Sequence, residues 1–225
     1  RQTLPILGNV LFRSVNGILS LTATDLEIEM ICIVKSDRLP NFETTIPARK
    51  IIDICKALPD GSDITLSIDD TKVLLECGRS RFTLLTLPAK DFPGLDDIDS
   101  QNEFTIPQKA LKSLIDKTSF AMAQQDVRYY LNGMLWELST NKLRAVATDG
   151  HRMALCDGIC EVDVQDTITA ILPRKGIMEL SRLLGDEEVN VSMGSNHIRI
   201  TGTDYCFTSK LVDGAYPDYD RVLPK

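Results

Sequence analysis

The decapeptide Ala147-Thr148-Asp149-Gly150-His151-Arg152-Met153-Ala154-Leu155-Cys156 restates a pattern met 124 positions earlier. There Ala23-Thr24-Asp25-Leu26-Glu27-Ile28-Glu29-Met30-Ile31-Cys32 has the same Ala-Thr-Asp opening and the same closing cysteine. The flanks follow. Leu7-Gly8-Asn9-Val10-Leu11-Phe12 answers to Leu131-Asn132-Gly133-Met134-Leu135-Trp136 at the same spacing of 124. Pro47-Ala48-Arg49-Lys50 answers to Pro173-Arg174-Lys175 with the basic pair offset by 125, and Phe82-Thr83 to Phe207-Thr208 at 125. Phe92-Pro93 returns as Tyr216-Pro217 at 124. Anchors that drift by one residue at loops are the mark of a duplicated domain, and the period is a whole domain rather than a solenoid unit.

A chain of 225 residues has room for two such domains. The longest uninterrupted apolar run, Met30 to Val34, is far short of the ~20 residues that span a bilayer. No basic-then-apolar leader is visible. Six cysteines without a C-x-x-C pair, and two histidines, argue against a zinc site or a disulfide framework. No cofactor or metal is expected, and a reducing cytoplasm is the expected home. Cys32 and Cys156 hold equivalent places and are expected as buried small hydrophobes.

A net charge of −7 speaks against nucleic acid only while the total is considered. Three helix candidates, Arg49–Leu58, Gln108–Gln124 and Arg174–Leu184, together carry +6, leaving −13 elsewhere. Basic helices on an acidic body attract a polyanion along one surface and repel it from the rest; lysines that merely solvate helix faces would give the same count.

Along the chain the pattern is α+β. Strands are expected at Val10–Arg13 and Ile18–Thr22 around an Asn16-Gly17 hairpin turn, and over Asp25–Val34. Pro47 opens a helix whose core face is read as Ile52, Cys55 and Leu58, matched to Ile177, Leu180 and Leu183. Ile51 and Ile54 are then surplus, an apolar patch of the kind that marks a contact. Further strands are expected at Ile64–Ile68, Val73–Cys77 and Arg81–Leu87. The Pro/Gly/Asp cluster from Asp91 to Asp97, followed by Ser100-Gln101-Asn102, reads as the linker, dividing the chain into 1–101 and 102–225. The helix after Pro107 has no partner in the first copy, which is therefore expected to lack its opening helix.

Asp149, His151 and Arg152 invite a hydrolase or nuclease reading. No Ser or Cys nucleophile accompanies them, no glycine-rich phosphate loop is present, and the first copy has Glu27 in place of His151. Tyr129 and Tyr130 are candidates for stacking on bases, whereas Trp136, in phase with Phe12, reads as core.

Four stretches, Gln125 to Leu135, Ala147 to Arg152, Ile171 to Gly176 and Phe207 to Gly214, closely resemble the bacterial replicative sliding clamp, the beta subunit of DNA polymerase III. The resemblance covers the whole chain. It implies a DNA clamp fold with antiparallel sheets outside and two helices inside each domain, and three domains per subunit. Two subunits would close head to tail as a homodimer ring around duplex DNA. It implies a non-catalytic processivity factor that holds double-stranded DNA without regard to sequence. DNA polymerase and clamp-loader subunits would dock through short peptides, a glutamine followed by Leu/Phe, around Met153. The implied peptide pocket is Leu131, Thr148, Gly150, His151, Arg152, Met153, Pro217 and Val222, with Tyr130 and Arg128 beside it and its remaining wall in a third domain. Implied DNA contacts are Arg1, Gln125, Tyr129, Lys175, Arg182 and Arg221, with Arg49 and Lys50 equivalent in the first copy. The subunit contact falls near Lys50, Ile51, Ile54, Arg81 and Leu84. A chain holding one half of that contact is expected to be mainly monomeric.

Overall fold

The structure is a computed structural model that describes residues 4–36, 38–95 and 102–223. It divides into two compact units, Arg1–Leu95 and Asp96–Lys225. Arg1 and the expected linker residues 96–101 lie outside the described residues.

In the first unit, β1 (Asn9–Val15), β2 (Ile18–Thr24), β3 (Ile28–Lys35) and β4 (Phe42–Pro47) form an antiparallel sheet in the order β4-β1-β2-β3. After α1 (Ala48–Ala57), β5 (Thr65–Asp69), β6 (Lys72–Cys77) and β7 (Ser80–Leu85) make a second antiparallel sheet. The β1–β2 turn is Asn16-Gly17, both at positive φ (51° and 78°), as the twist of a two-residue hairpin requires. Phe12 and Ile46 from one sheet meet Val73 and Leu84 from the other, and α1 adds Ile51 and Ile54 to that core.

The second unit opens with β8 (Asn102–Pro107) and α2 (Gln108–Thr118), then repeats the order of the first. The strands β9 (Gly133–Ser139), β10 (Lys142–Thr148), β11 (Met153–Ile159) and β12 (Ile168–Pro173) pair as β11-β10-β9-β12. Then follow α3 (Arg174–Leu183), β13 (Glu188–Met193), β14 (His197–Thr201) and β15 (Tyr205–Lys210), the last three pairing with β8 as β15-β14-β13-β8. Trp136 and Phe207, both fully buried, anchor its core, and Phe12 is buried likewise in the first unit. The helices contribute Leu111, Leu114 and Ile115 from α2 and Ile177 and Leu180 from α3.

The core face of α1 is the reverse of the expected one. Ile52 is 48% exposed and Cys55 is exposed, while Ile51 and Ile54 pack inward and Leu84 is buried. Each helix starts directly after a proline that ends a strand, Pro47 and Pro173, so the register counts from the proline at an offset of 126. Ile51, Ile54 and Leu58 then answer to Ile177, Leu180 and Leu184. Matching Arg49-Lys50 to Arg174-Lys175 slips the helix by one residue, about 100° of rotation. The apolar residues read as surplus at Ile51 and Ile54 are therefore packed against the core, half-buried, and Leu84 is buried beside them.

Other expectations shift less. The helix α2 stops at Thr118, whose hydroxyl bonds back to the Leu114 carbonyl (2.7 Å), and a short 3-10 turn follows instead of helix to Gln124. The third strand begins at Ile28 rather than Asp25, because Asp25 closes a turn. Cys32 is exposed and Cys156 half-buried, so equivalence in the repeat did not carry burial with it.

Candidate functional site

The Thr148–Met153 connection between β10 and β11 is a self-bonded turn. The Thr148 hydroxyl donates to the Arg152 carbonyl (2.7 Å) and accepts the Gly150 amide (3.0 Å). The Asp149 carboxylate accepts the amides of His151 (2.9 Å) and Arg152 (3.0 Å) and the Arg152 guanidinium (3.0 Å). These donors hold its carboxyl below the usual carboxylate range, the two backbone amides first. The first unit builds the same turn. The Thr24 hydroxyl donates to the Ile28 carbonyl (2.8 Å) and accepts Leu26 N–H (3.1 Å), while Asp25 accepts Glu27 and Ile28 N–H. Leu26 takes φ +76° where Gly150 takes +87°. The Ala-Thr-Asp repeat is thus a turn built into the fold. Its carboxylate is committed to backbone amides in both copies, which removes the basis for reading Asp149 and His151 as a hydrolytic pair.

Beside that turn stands Arg128. Asp126 accepts its Nε (3.0 Å), Nη2 (2.8 Å) and backbone N–H (2.8 Å), and Asn132 braces the same loop through Asp126 N–H and C=O (2.9 Å each). The Arg128 bonds bring the Asp126 carboxyl down to about 2. The guanidinium then lies against Gly150, where a Cβ would stand 3.1 Å from both Nη atoms.

The segment after β15 covers the outer face of the β9–β12 sheet. Val212 N–H donates to the Ile171 carbonyl (2.8 Å), and the buried Tyr219 joins Leu135, Val146 and Ile171 in a cluster. Tyr130, Met153, Leu155, Tyr216 and Leu223 pack around it. The Tyr216 hydroxyl accepts Thr148 N–H (3.1 Å). The Tyr219 hydroxyl donates to Glu137 and accepts Arg144 Nη1 (3.4 Å), while Arg144 forks onto Asp157 (2.6 and 2.8 Å). Burial pushes both tyrosine hydroxyls up to about 12.

Among the pocket residues read from the sequence, the fold joins Thr148, Met153 and Tyr130 to the segment that carries Pro217 and Val222. Arg128 meets Gly150, and Arg152 donates to the Phe120 carbonyl (2.8 Å) and lies over its ring. Leu131 is buried, so it supports from beneath and presents no surface. Two cavities flank the group. One of about 350 Å³ is lined by His151 and Arg152 with Met122, Gln124 and Asp126. The other, about 440 Å³, is lined by the segment from Leu211 to Asp220, Pro217 included, and by Leu135, Glu137 and Ile171 of the sheet. Sequence reasoning missed Tyr216, Tyr219 and Arg144; the Phe92-to-Tyr216 change between the copies was the available signal.

The cations divide by occupancy. Arg49 and Lys50 are exposed on the first turn of α1 and enter no ion pair among the described residues. Lys175 is exposed on the first turn of α3. Arg182 is paired to Glu179 (2.8 Å), Arg221 to Asp218 (2.7 Å) and Arg81 to Glu76 (2.8 Å). Gln125 is exposed at φ +56° and Tyr129 is 56% exposed.

Two family models match the chain: DNA polymerase III beta subunit, N-terminal domain, over residues 1–96, and the central domain of the same subunit over residues 105–218. Among curated relatives, the beta sliding clamps of Pseudomonas putida (54% identical over 228 residues) and Escherichia coli K12 (53% over 232) match the full length of this chain. This chain spans 62% of each of them. Among solved structures, the DNA polymerase III beta subunit of Pseudomonas aeruginosa is similar at TM-score 0.96 and 53% identity, over all of this chain and 62% of that one. A second structure of the Pseudomonas aeruginosa clamp, bound to griselimycin, matches equally. The Caulobacter crescentus protein matches at TM-score 0.92 and 39% identity, over all of this chain and 63% of that one.

Proposed function

This chain belongs to the family of the DNA polymerase III beta subunit, and from that premise we propose that it supplies two domains of a sliding clamp, a non-catalytic processivity factor. In the whole protein three domains per subunit, two subunits to a ring, would enclose duplex DNA in the cytoplasm and tether a polymerase to it. Tethering of this kind is topological, so contacts to DNA need be neither strong nor base-specific. Among the described residues no helix is long and apolar enough to cross a membrane.

The observation that carries the DNA side of this reading is the construction of the helix starts. A helix N-terminus bears a partial positive charge, and folds usually place a capping oxygen or an acid there, worth about 0.5–2 kcal/mol. None of the three helices has a side-chain cap or an acidic residue in its first turn. Each instead has cations there: Arg49 and Lys50, Arg174 and Lys175, and Lys109, the last paired with Asp186 (3.2 Å). At the starts of α1 and α3 stability is given up in the same direction, and that direction favours phosphate. Lys50, Arg49, Lys175, Gln125 and Tyr129 are the proposed DNA contacts. Arg182 and Arg221 join them by exchanging exposed ion pairs worth little in water.

The partner side rests on the outer face of the second unit. Met153, Tyr130, Thr148, Pro217 and Val222, flanked by Arg128, Gly150, His151 and Arg152, are proposed to take short peptides bearing a glutamine followed by Leu/Phe. Griselimycin, bound by the Pseudomonas aeruginosa relative, is proposed as a ligand of this chain as well. Lys50 and Arg81 remain as the polar part of a subunit contact.

Duplex DNA titrated at two salt concentrations tests the first half. Binding that is weak, indifferent to sequence and strongly weakened by salt is expected, whereas salt-independent or sequence-selective binding would refute it. Calorimetry with the peptide on the parent chain and on Met153→Lys tests the second. An apolar anchor buried at Met153 is worth roughly 1.5–3 kcal/mol, and most of that should vanish in the variant.

A further inference from the structure

The wall of the proposed pocket that carries Pro217 and Val222 is a segment without regular strand pairing, laid over a sheet. A cavity of about 440 Å³ is lined by this segment together with Leu135, Glu137, Thr169 and Ile171 of the sheet. The apolar contacts of Val212, Tyr216 and Tyr219 with the sheet hold the segment down but, being non-directional, do not fix its position. Backbone bonds fix its start, from Leu211 N–H to the Asn196 carbonyl and Val212 N–H to the Ile171 carbonyl (2.8 Å each), and two hydroxyls supply the constraint beyond it. The Tyr219 hydroxyl is fastened to Glu137 and Arg144 at the middle of the sheet. The Tyr216 hydroxyl is fastened to the backbone amide of Thr148 (3.1 Å), the last residue of β10, directly across from Met153 on β11. That bond joins the two sides of the pocket: Pro217 is the next residue after Tyr216, and Thr148 opens the turn that seats Gly150 under Arg128.

The repeat provides an internal control. The first unit has the same Thr-Asp turn, with the same hydroxyl and carboxylate bonds, and Phe92-Pro93 where the second has Tyr216-Pro217. Phe92 has no hydroxyl to offer, and the Thr24-Asp25 turn closes through its own hydroxyl and carboxylate bonds. The hydroxyl of Tyr216 is therefore not needed to form such a turn, and it is an addition in the unit that has the pocket.

We propose that Tyr216 is a positioning residue of the peptide site: its hydroxyl, by accepting Thr148 N–H, sets the separation of the Pro217 wall from the Met153 strand before a peptide arrives. Fixing the wall in advance spares the peptide the cost of ordering it. The inference rests on the pocket reading above.

The test is Tyr216→Phe in the 225-residue chain, titrated by NMR with a pentapeptide bearing glutamine followed by leucine and phenylalanine. The variant should fold, with its melting temperature lowered by no more than the loss of one part-buried hydrogen bond. Peptide affinity should fall about three- to tenfold, the range of one neutral hydrogen bond, and Thr148 N–H should exchange faster with solvent. Tyr205→Phe is the control for a purely structural hydroxyl, since Tyr205 bonds Gln108 (3.0 Å) away from the pocket; it should leave affinity unchanged. Equal affinity in the parent and Tyr216→Phe overturns the brace and leaves the pocket standing. A parent chain that shows no peptide-induced shifts overturns the pocket reading, and the brace falls with it.

Discussion

The guanidinium of Arg128 rests on the bare α-carbon of Gly150, where a methyl group would stand 3.1 Å from both of its terminal nitrogens. Gly150 also has φ +87°, a conformation that costs an L-residue roughly 1–2 kcal/mol. Both reasons apply at one position, so Gly150→Ala should destabilise the second unit by about 1–2 kcal/mol, chiefly through the backbone, with the Arg128 guanidinium shifting slightly to make room. Leu26 already bears the same backbone conformation in the first unit (φ +76°). Leu26→Gly gains there by relief of strain and loses by unfolded-chain entropy, and should be close to neutral. Urea unfolding of the two variants measures the contrast, and equal costs would mean that neither the positive φ nor the Arg128 contact has weight.

The register of the helices makes a second prediction. Ile177 is fully buried in α3, and its partner in α1 is Ile51 rather than Ile52. Truncation of a core isoleucine costs about 2–5 kcal/mol, so Ile177→Ala should fall in that range. Ile51→Ala, half-buried, should cost about 1–3 kcal/mol. Ile52→Ala should stay within about 0.5 kcal/mol, as exposed positions do. Chemical denaturation of the three variants decides it, and a larger cost for Ile52 than for Ile51 would restore the alignment on Arg49-Lys50.

A third concerns alkaline solution. Tyr216 and Tyr219 are held neutral by burial, with hydroxyls at about 12 against an ordinary 10.0. For a group raised in the folded state, the stability it confers is complete below pH 10 and is lost as pH rises through 12. The second unit should therefore weaken over that window, releasing the segment that carries Pro217. Tyr216→Phe should make the decline shallower by one titrating group. Denaturation curves across the window read this directly, and identical slopes in parent and variant would exclude Tyr216 as a contributor. Asp126, down at about 2, has the opposite sign: its hold on Arg128 is complete above its ordinary value of 3.8 and fails only toward pH 2.

How much of this was readable from residues alone depends on the range of the interaction. The Asn16-Gly17 hairpin and the helix starts at Pro47, Pro107 and Pro173 are set by backbone preferences of adjacent residues, and the α+β order followed from them. The face of α1 was misread because the insertion sits between the proline and the basic pair, and one residue turns a helix by about 100°. The turn at Thr148 was visible as a repeated motif, but not as a turn, until its hydroxyl and carboxylate bonds were seen. The Tyr216 and Tyr219 anchors join residues 68 and 82 apart in the chain. Bonds at that distance leave no periodicity, and the only trace was a phenylalanine replaced by tyrosine between copies.

The last prediction separates the cations by what already neutralises them. Arg49 and Lys50 sit in the first turn of α1, with no acid in that turn and no ion pair among the described residues. Arg221 and Arg182 each hold an acid three residues before them, at 2.7 and 2.8 Å. A side chain that neutralises a phosphate releases condensed counterions, and each such contact adds about 0.9 to the slope of log K against log salt. Replacing both Arg49 and Lys50 by alanine should therefore flatten the slope by up to about 1.8. Arg221→Ala should flatten it by less than one contact, because the arginine brings Asp218 with it and that carboxylate must be displaced. Fluorescence anisotropy on a duplex between 50 and 200 mM salt, roughly the range over which such binding collapses, gives both slopes. Changing the base sequence of the duplex should alter neither. If the double variant keeps the parent slope while Arg221→Ala loses a full contact, the DNA face does not include the start of α1, and the argument from its uncapped, basic first turn is wrong.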